Sequence, residues 1–334
     1  MMPGSRRRLL GGLAGLLALA MAAVGLFAWA ISHGWLELPM NELEARYRLP
    51  QSRFLDVDGV RVHYIASGTG PPVVLLHASW LSLRSWDALA DILDDRFQVI
   101  RLDLSGAGLT GDDPGGRYGI ERNMELMEGV LAHLGLERFA VVGTSSGGVT
   151  AFRYAAAHPE RIERLVLINS AGLPRTPASN PNKPPPGGIL GWFQTRWRPC
   201  SFWERSLGAN FVPPHRPSPE LVQMTCDMNR RSGWRDIGMR YLAAFRTGDP
   251  QAVLAQVRAP TLVLWGLDNR TLTHLEAEVF AYWLTGTTAM IRKYPGLGHY
   301  AYIEEPAVVA RDLLAFLSGD RAAIADVAAQ GVDR

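Results

Sequence analysis

The chain is poor in cysteine and in net charge. Two cysteines, Cys200 and Cys226, in 334 residues rule out a disulfide framework as the source of the fold. The pair either bridges in an oxidising compartment or remains as two small hydrophobes. Formal charge is only +2, and three of the basic residues are the consecutive Arg6, Arg7 and Arg8. The remainder is close to neutral and offers no basic face for nucleic acid. No internal repeat is present. No lysine follows the glycines of the run Gly143–Gly148, which argues against a phosphate-binding loop. What the chain does have is apolar material: at 47% hydrophobic it can bury a sizeable core, as one large domain with an insert or as two domains.

One apolar stretch stands apart. From Leu9 to Ile31 no residue is charged. As a helix this run reaches about 34 Å, enough for a hydrocarbon core of roughly 30 Å. A cleaved secretory signal has a shorter apolar region of roughly 7–15 residues, although Ala20-Met21-Ala22 has the small-residue character of a cleavage site. Length, together with Trp29 and Trp35 near the outer end, favours a retained anchor, because indole rings settle at the membrane interface. Arg6–Arg8 ahead of the span place the N-terminus in the cytoplasm and everything after residue 35 outside it, in the periplasm if the cell is bacterial.

Beyond the span, residues 36–52 read as a spacer or short helix. Phe54–Val57 and Arg61–Ile65 flank Asp58-Gly59, a hairpin signal. Apolar strands then alternate with helical segments: Val73–His77, Trp86–Leu93, Val99–Leu104, Met124–Leu134, Phe139–Val142, Ala151–Ala157 and Leu165–Ile168. Strands that are apolar throughout are buried on both faces, as in a parallel sheet covered by helices. The rhythm breaks at Pro174–Gly188, which is crowded with Pro, Asn and Gly and reads as a linker. Residues 189 to about 250 are rich in Trp and Phe and lack strand runs, which predicts a small helical insert. Strand rhythm resumes at Thr261–Trp265 and Met290–Tyr294, and Val308–Leu317 makes a last amphipathic helix. The expected organisation is an anchor over 1–35, a spacer over 36–52, an α/β core over 53–173 and 251–318, a linker and helical cap over 174–250, and a tail over 319–334.

The chemistry centres on Gly143-Thr144-Ser145-Ser146-Gly147-Gly148, between a strand and a helical segment. In that context G-x-S-x-G forms a sharp turn that lifts the serine hydroxyl above the sheet and needs small residues on both sides. The amide of Ser146 then helps to bind a developing oxyanion. Ser146 itself is the poorer nucleophile candidate, because its flanks Thr144 and Gly148 shift the motif by one position. A serine needs an adjacent base. Among the eight histidines, His299 is the outstanding candidate, in Pro295-Gly296-Leu297-Gly298-His299 between the last strand and the last helix. His63, His133, His158 and His274 have structural readings by their places in or near elements.

These motifs resemble the α/β-hydrolase family with a cap domain, over residues of about 53 to 318. Leu75-Leu76-His77-Ala78-Ser79 resembles the family's H-G-x loop, in which a backbone amide, here that of Ser79, completes the oxyanion hole. Asp103-Leu104-Ser105-Gly106-Ala107-Gly108-Leu109-Thr110 resembles its D-x-x-G-x-G-x-S/T turn. The elbow is the third motif, and Gly298-His299 followed by Glu304-Glu305-Pro306 is the fourth. The resemblance implies a mostly parallel eight-stranded sheet flanked by helices, with a helical cap inserted after the sixth strand. Two positions depart from it. Ala78 stands where glycine is usual. Trp265-Gly266-Leu267-Asp268-Asn269 places an asparagine where the family's triad acid usually stands, and the family's other acid position holds Asn169. Three readings are open: Asp268 is the acid with the loop shifted by one residue, Asn269 orients the imidazole, or the triad is degraded and the domain binds rather than cleaves. Asp268 is preferred because a carboxylate stabilises the charged imidazole. A purely structural role is also open to it, as the cap of the next helix.

The resemblance implies a serine hydrolase that needs no metal or organic cofactor. It would cleave a carboxylic ester or related acyl bond of an apolar small molecule or lipid through an acyl-enzyme. Hydrolysis of a C–C bond with the same residues, and a membrane-tethered ligand-binding protein, are the alternatives. Serine at the elbow argues against dehalogenase and epoxide hydrolase chemistry, and Ser146 in place of tryptophan argues against a proline aminopeptidase.

Overall fold

The structure, a computed structural model, describes residues 4–174, 188 and 197–319. Most of the linker predicted over Pro174–Gly188, the residues Trp192 and Phe193, and all but the first residue of the C-terminal tail lie outside these described residues.

The Asp58-Gly59 signal becomes a tight turn between β1 (Arg53–Val57) and β2 (Val60–Ser67). Both turn residues have positive φ, 52° and 78°, the backbone that lets a two-residue turn match the right-handed strand twist. Six further strands come after it: β3 (Pro72–Leu76), β4 (Gln98–Leu102), β5 (Phe139–Thr144), β6 (Ile162–Ile168), β7 (Thr261–Gly266) and β8 (Ala289–Tyr294). They form one eight-stranded sheet in the order β1-β2-β4-β3-β5-β6-β7-β8. β2 runs antiparallel to both neighbours and all later pairings are parallel.

The central strands are apolar along their whole length because each face of the sheet has its own core. Val73, Leu75, Val142, Ile168 and Leu264 point to one side, packing with α3 (Asp87–Leu93) and the C-terminal helix Pro306–Ser318. Val74, Leu76, Val141, Leu167 and Val263 point to the other, against α4 (Ile120–His133), α5 (Ser146–Ala157) and the helix Leu275–Trp283. Alternate residues of one strand thus feed opposite cores, as the period of two demands.

Among the described residues four helices, Cys200–Gly208, Pro219–Met228, Trp234–Ala244 and Pro250–Leu254, stand between β6 and β7, the first three where the sequence predicted a helical insert. Cys200 and Cys226 are joined by a disulfide that clamps the first of these helices to the second.

The N-terminal helix α1 (Gly4–Ser32) contains, over Gly11–Ser32, the one helix among the described residues that is long and apolar enough to cross a membrane. The segment expected to be a spacer is docked on the insert. Leu38 donates to the Arg230 carbonyl at 2.8 Å and accepts from the Ser232 amide at 2.9 Å. The following helix α2 (Met40–Tyr47) buries Leu43 and sends Arg46 and Tyr47 to the Asp227 carboxylate, each at 2.8 Å.

Candidate active site

β5 ends in the predicted elbow. Ser145 has φ 50° and ψ −120°, a conformation that non-glycine residues rarely adopt and that persists only when the surroundings impose it. Here the Ser145 amide donates to the Ile168 carbonyl, and its own carbonyl accepts from Gly148 at 3.1 Å and Ala171 at 3.0 Å. The glycines are required by close approach. A Cβ on Gly143 would lie 2.5 Å from the Gly147 carbonyl oxygen, and one on Gly147 would lie 2.3 Å from that of Leu76. Ser145 remains partly exposed while its neighbours are buried, the exposure expected of a candidate nucleophile at such a turn.

Gly147 therefore lets α5 touch the loop after β3, and this brings the two predicted oxyanion residues together. The Ser79 hydroxyl donates to the Ser146 hydroxyl at 2.8 Å. The loop is held from below by His77. Its Nε2 accepts from the Leu104 amide at 3.0 Å, so its Nδ1 carries the proton and donates to the Ala78 carbonyl at 2.8 Å. Burial pushes the His77 pKa down despite the Asp103 charge, which agrees with a neutral ring. Asp103 anchors the neighbouring turn. It is fully buried and accepts from Leu83, Leu109 and the Nδ1 of His63, at 2.7, 2.8 and 2.7 Å. Burial alone would raise its pKa, but the bond and charge of His63, with His77 and the Leu83 amide, hold it below the usual carboxylate range. His63, read from sequence as a strand residue, is thus a buried hydrogen-bond partner of Asp103.

His299 is buried on the loop after β8. Its amide donates to the Asn210 carbonyl of the insert at 3.0 Å, and its carbonyl accepts from the Asn169 side chain at 3.0 Å. Segment 169–171 after β6 therefore holds both key loops, since Asn169 bonds His299 and Ala171 bonds Ser145.

The residues weighed as the acid have different surroundings. Asn169 and Asn269 are buried and bonded to each other at 3.1 Å. Asn169 Oδ1 also accepts from Gly266, and its amide reaches the Gly298 carbonyl. Asn269 Oδ1 caps the turn at Thr271 and Leu272, both at 3.0 Å. Asp268 is exposed, and its carboxylate accepts from the Gly296 amide at 2.8 Å, three residues before His299. A carboxylate that motif reasoning left without a role, Glu304, lies beneath the same loop. It accepts from Gly298 at 3.0 and 3.1 Å and from Val212 of the insert at 3.2 Å. Burial raises its pKa against the pull of those amides and of His215.

Above Ser79 and Ser146 a cavity of about 40 Å³ remains, walled by Trp80, Leu104, Met228, Trp234, Ile237 and Tyr241. That is room for a few waters at most. The aromatic insert thus supplies both pocket wall and core. Trp234 and Trp80 line the cavity, while Trp203, stacked on both, is buried behind them. The Tyr241 phenol is pushed up by burial, with Ser146, Asn123 and Ser79 around it acting in the other direction. Nothing in the sequence marked Tyr241 or Trp80, since an aromatic on an insert helix or loop reads equally as core.

Fold, elbow and flanking loops together define a hydrolase framework, and comparison with known proteins agrees. Residues 71–306 match the alpha/beta hydrolase fold family, and the chain belongs to that family. It is 25% identical to a 2-hydroxy-6-oxo-2,4-heptadienoate hydrolase of Pseudomonas putida, over 76% of this chain and 91% of that protein. An uncharacterized protein of Mycobacterium tuberculosis is 32% identical over 124 residues, and there the chain spans only 36% of the relative's length. Among solved structures, a bacterial membrane phospholipase A superposes with a TM-score of 0.67 at 24% identity, covering 94% of this chain and 98% of that one. The match extends over the α/β core, in accord with the resemblance read from the four motifs.

Proposed function

We propose that the protein is a serine hydrolase that cleaves a carboxylic ester, or a related acyl bond, of an apolar or lipid-like substrate. The observation that carries this reading is Ser145 at φ 50° on the β5–α5 turn, with Ser79 and Ser146 side by side next to it. In this mechanism His299 takes the Ser145 proton as the hydroxyl oxygen attacks the carbonyl carbon, and gives it to the leaving alcohol as the C–O bond breaks and the acyl-enzyme forms. The amides of Ser79 and Ser146 receive the oxyanion, and water activated by His299 releases the acyl group. Asp268 supplies the acid, and its bond to Gly296 ties its charge to the loop that carries the base. The side chains over Ser79 and Ser146, among them Trp80, Met228, Trp234 and Ile237, are apolar, which supports an apolar rather than a charged substrate group. Hydrolysis of a C–C bond is the second reading, favoured by the match to the Pseudomonas putida enzyme over most of both chains.

We also propose that α1 is retained as an anchor and that the catalytic domain lies outside the cytoplasm. Gly11–Ser32 is almost wholly exposed as a helix, and the Cys200–Cys226 disulfide suits an oxidising compartment.

The test is steady-state hydrolysis of short- and long-chain p-nitrophenyl esters beside a 2-hydroxy-6-oxo-dienoate. Wild type, Ser145→Ala, Asp268→Asn and Asn269→Ala are compared. Ester turnover lost in Ser145→Ala and Asp268→Asn is expected, with a fall in kcat of about 10³-fold or more at the nucleophile. Activity intact in Asp268→Asn but lost in Asn269→Ala would transfer the orienting role to the amide. Turnover of the dienoate alone would establish the C–C reading.

A further inference from the structure

Hydroxyls from three separate elements line the cavity over the oxyanion residues: Ser79 on the loop after β3, Ser146 at the start of α5, and Tyr241 on the insert helix Trp234–Ala244. Trp234, Ile237, Gly238 and Tyr241 all border that cavity, the i, i+3, i+4, i+7 spacing of one helix face. The face is seated closely on the core. A Cβ on Gly106, in the turn after β4, would lie 2.4 Å from Ile237 Cγ2, so glycine there admits the helix. Tyr241 lies one turn further along the same face, where Ser146, Asn123 and Ser79 hydrogen-bond its phenol. We propose that Ser79, Ser146 and Tyr241 close a ring of hydroxyl hydrogen bonds, and that Tyr241 is thereby a positioning residue for the oxyanion hole. This role rests on the serine hydrolase reading, in which the Ser79 and Ser146 amides receive the oxyanion.

Donor accounting favours the closed ring. The Ser79 hydroxyl gives its proton to Ser146 at 2.8 Å. Asn123 on α4 has its Oδ1 filled by the amide and hydroxyl of Ser105, at 2.9 and 2.6 Å, and it directs one Nδ2 proton at Thr150, 3.3 Å away. It therefore meets the phenol as a donor, through its other Nδ2 proton. Each hydroxyl has one proton to give and two lone pairs to fill. All three protons are placed when Ser146 donates to Tyr241 and Tyr241 donates to Ser79. Burial pushes the phenol pKa up, so the proton that completes the ring is in place at neutral pH.

The members of this ring hang from the two oxyanion amides. The bond between Ser79 and Ser146 ties the loop after β3 to the start of α5. The phenol ties both to the insert, so the hole takes its final aim only with the insert helix seated. Hydrogen bonds that share donors and acceptors in this way strengthen one another, and opening one link loosens the rest. Amide donors act on the transition state through their aim, so a slackened ring lowers kcat and leaves ground-state binding little changed.

The test compares full-length wild type, Tyr241→Phe, Ser79→Ala and the double variant in neutral detergent. Both substitutions keep the backbone amide and remove one hydroxyl. Two reactions are followed beside a thermal melt: steady-state hydrolysis of p-nitrophenyl butyrate, and single-turnover release of p-nitrophenol from diethyl p-nitrophenyl phosphate as Ser145 displaces it. Each single variant is expected to lower kcat and the phosphorylation rate about ten-fold, with KM within about two-fold of wild type and a cooperative melt. The double variant is expected to fall by about the same ten-fold rather than about a hundred-fold, because either loss opens the same ring. An unchanged kcat in Tyr241→Phe, or additive losses in the double variant, overturns the ring. A KM that rises at constant kcat overturns it in favour of a phenol that contacts substrate. A wild type inert towards both reagents overturns the hydrolase reading and the positioning role with it, whereas the other adverse outcomes leave that reading standing.

Discussion

The side-chain amide of Asn229 donates to the carbonyl oxygen of Trp80 at 2.9 Å, joining the insert to the residue next after Ser79. Trp80 has φ 70°, a left-handed conformation for a bulky residue, and it stacks on Trp203 and Trp234. The loop that carries Ser79 is thus bonded by the insert through Asn229 as well as by His77.

Asn229→Ala is therefore expected to act on catalysis more than on stability. The variant loses this bond and one to the Thr225 carbonyl, worth about 1–2 kcal/mol together. The expected kinetic effect is a fall in kcat of about ten-fold with little change in KM, since a displaced amide donor weakens transition-state binding. Ester hydrolysis and a thermal melt of the same preparation check it. A lower melting temperature with unchanged kcat would reduce Asn229 to a packing residue.

Asp103 and His63 form a buried pair whose loss leaves an uncompensated partner. Asp103→Asn is expected to destabilise by about 3–5 kcal/mol at neutral pH. The sign with pH comes from the depressed pKa. The stability it contributes is present above the ordinary carboxylate pKa and is lost as pH falls through the lower value of the folded state. Wild type and variant should thus differ most near neutrality and converge in acid, as urea unfolding at several pH values would show.

How far the fold and site are legible in the sequence depends on how local each cause is. The hairpin at Asp58-Gly59 is fixed by the backbone of its own two turn residues, and at the elbow Gly143 meets the carbonyl of Gly147 four residues on, so sequence pattern reaches both. The strand order comes from alternating apolar runs and helices. Asn229 and Tyr241 are not legible, because they meet the site through docking of the insert, and the Asn229–Trp80 bond spans 149 residues. The acid is ambiguous for a similar reason. Adjacent residues of the loop after β7 point in opposite directions, Asp268 to solvent and Asn269 into the protein, and side-chain direction in a turn is set by contacts with Asn169 and Gly296. Glu304 is visible only as part of a motif. Its role beneath the histidine loop depends on the Gly298 and Val212 amides converging on it.

That convergence makes Glu304 a positioning residue for His299, with a pH signature that separates it from simple packing. Glu304→Ala strands the Gly298 and Val212 amides, and a loss of about 2–4 kcal/mol is expected for two donors without acceptors. Because burial raises the Glu304 pKa, the folded state holds its proton more tightly than the unfolded chain does. Its stabilisation is full below the ordinary glutamate pKa and declines as pH rises through the folded value. The gap between wild type and Glu304→Ala in urea should therefore be widest near pH 4 and narrower at pH 8, opposite in trend to Asp103→Asn. In ester hydrolysis at pH 8, kcat is expected to fall about ten-fold or more, because Gly298 precedes His299 directly and its displacement moves the base. A variant that keeps wild-type kcat while losing stability would show that the histidine loop holds its position without this carboxylate.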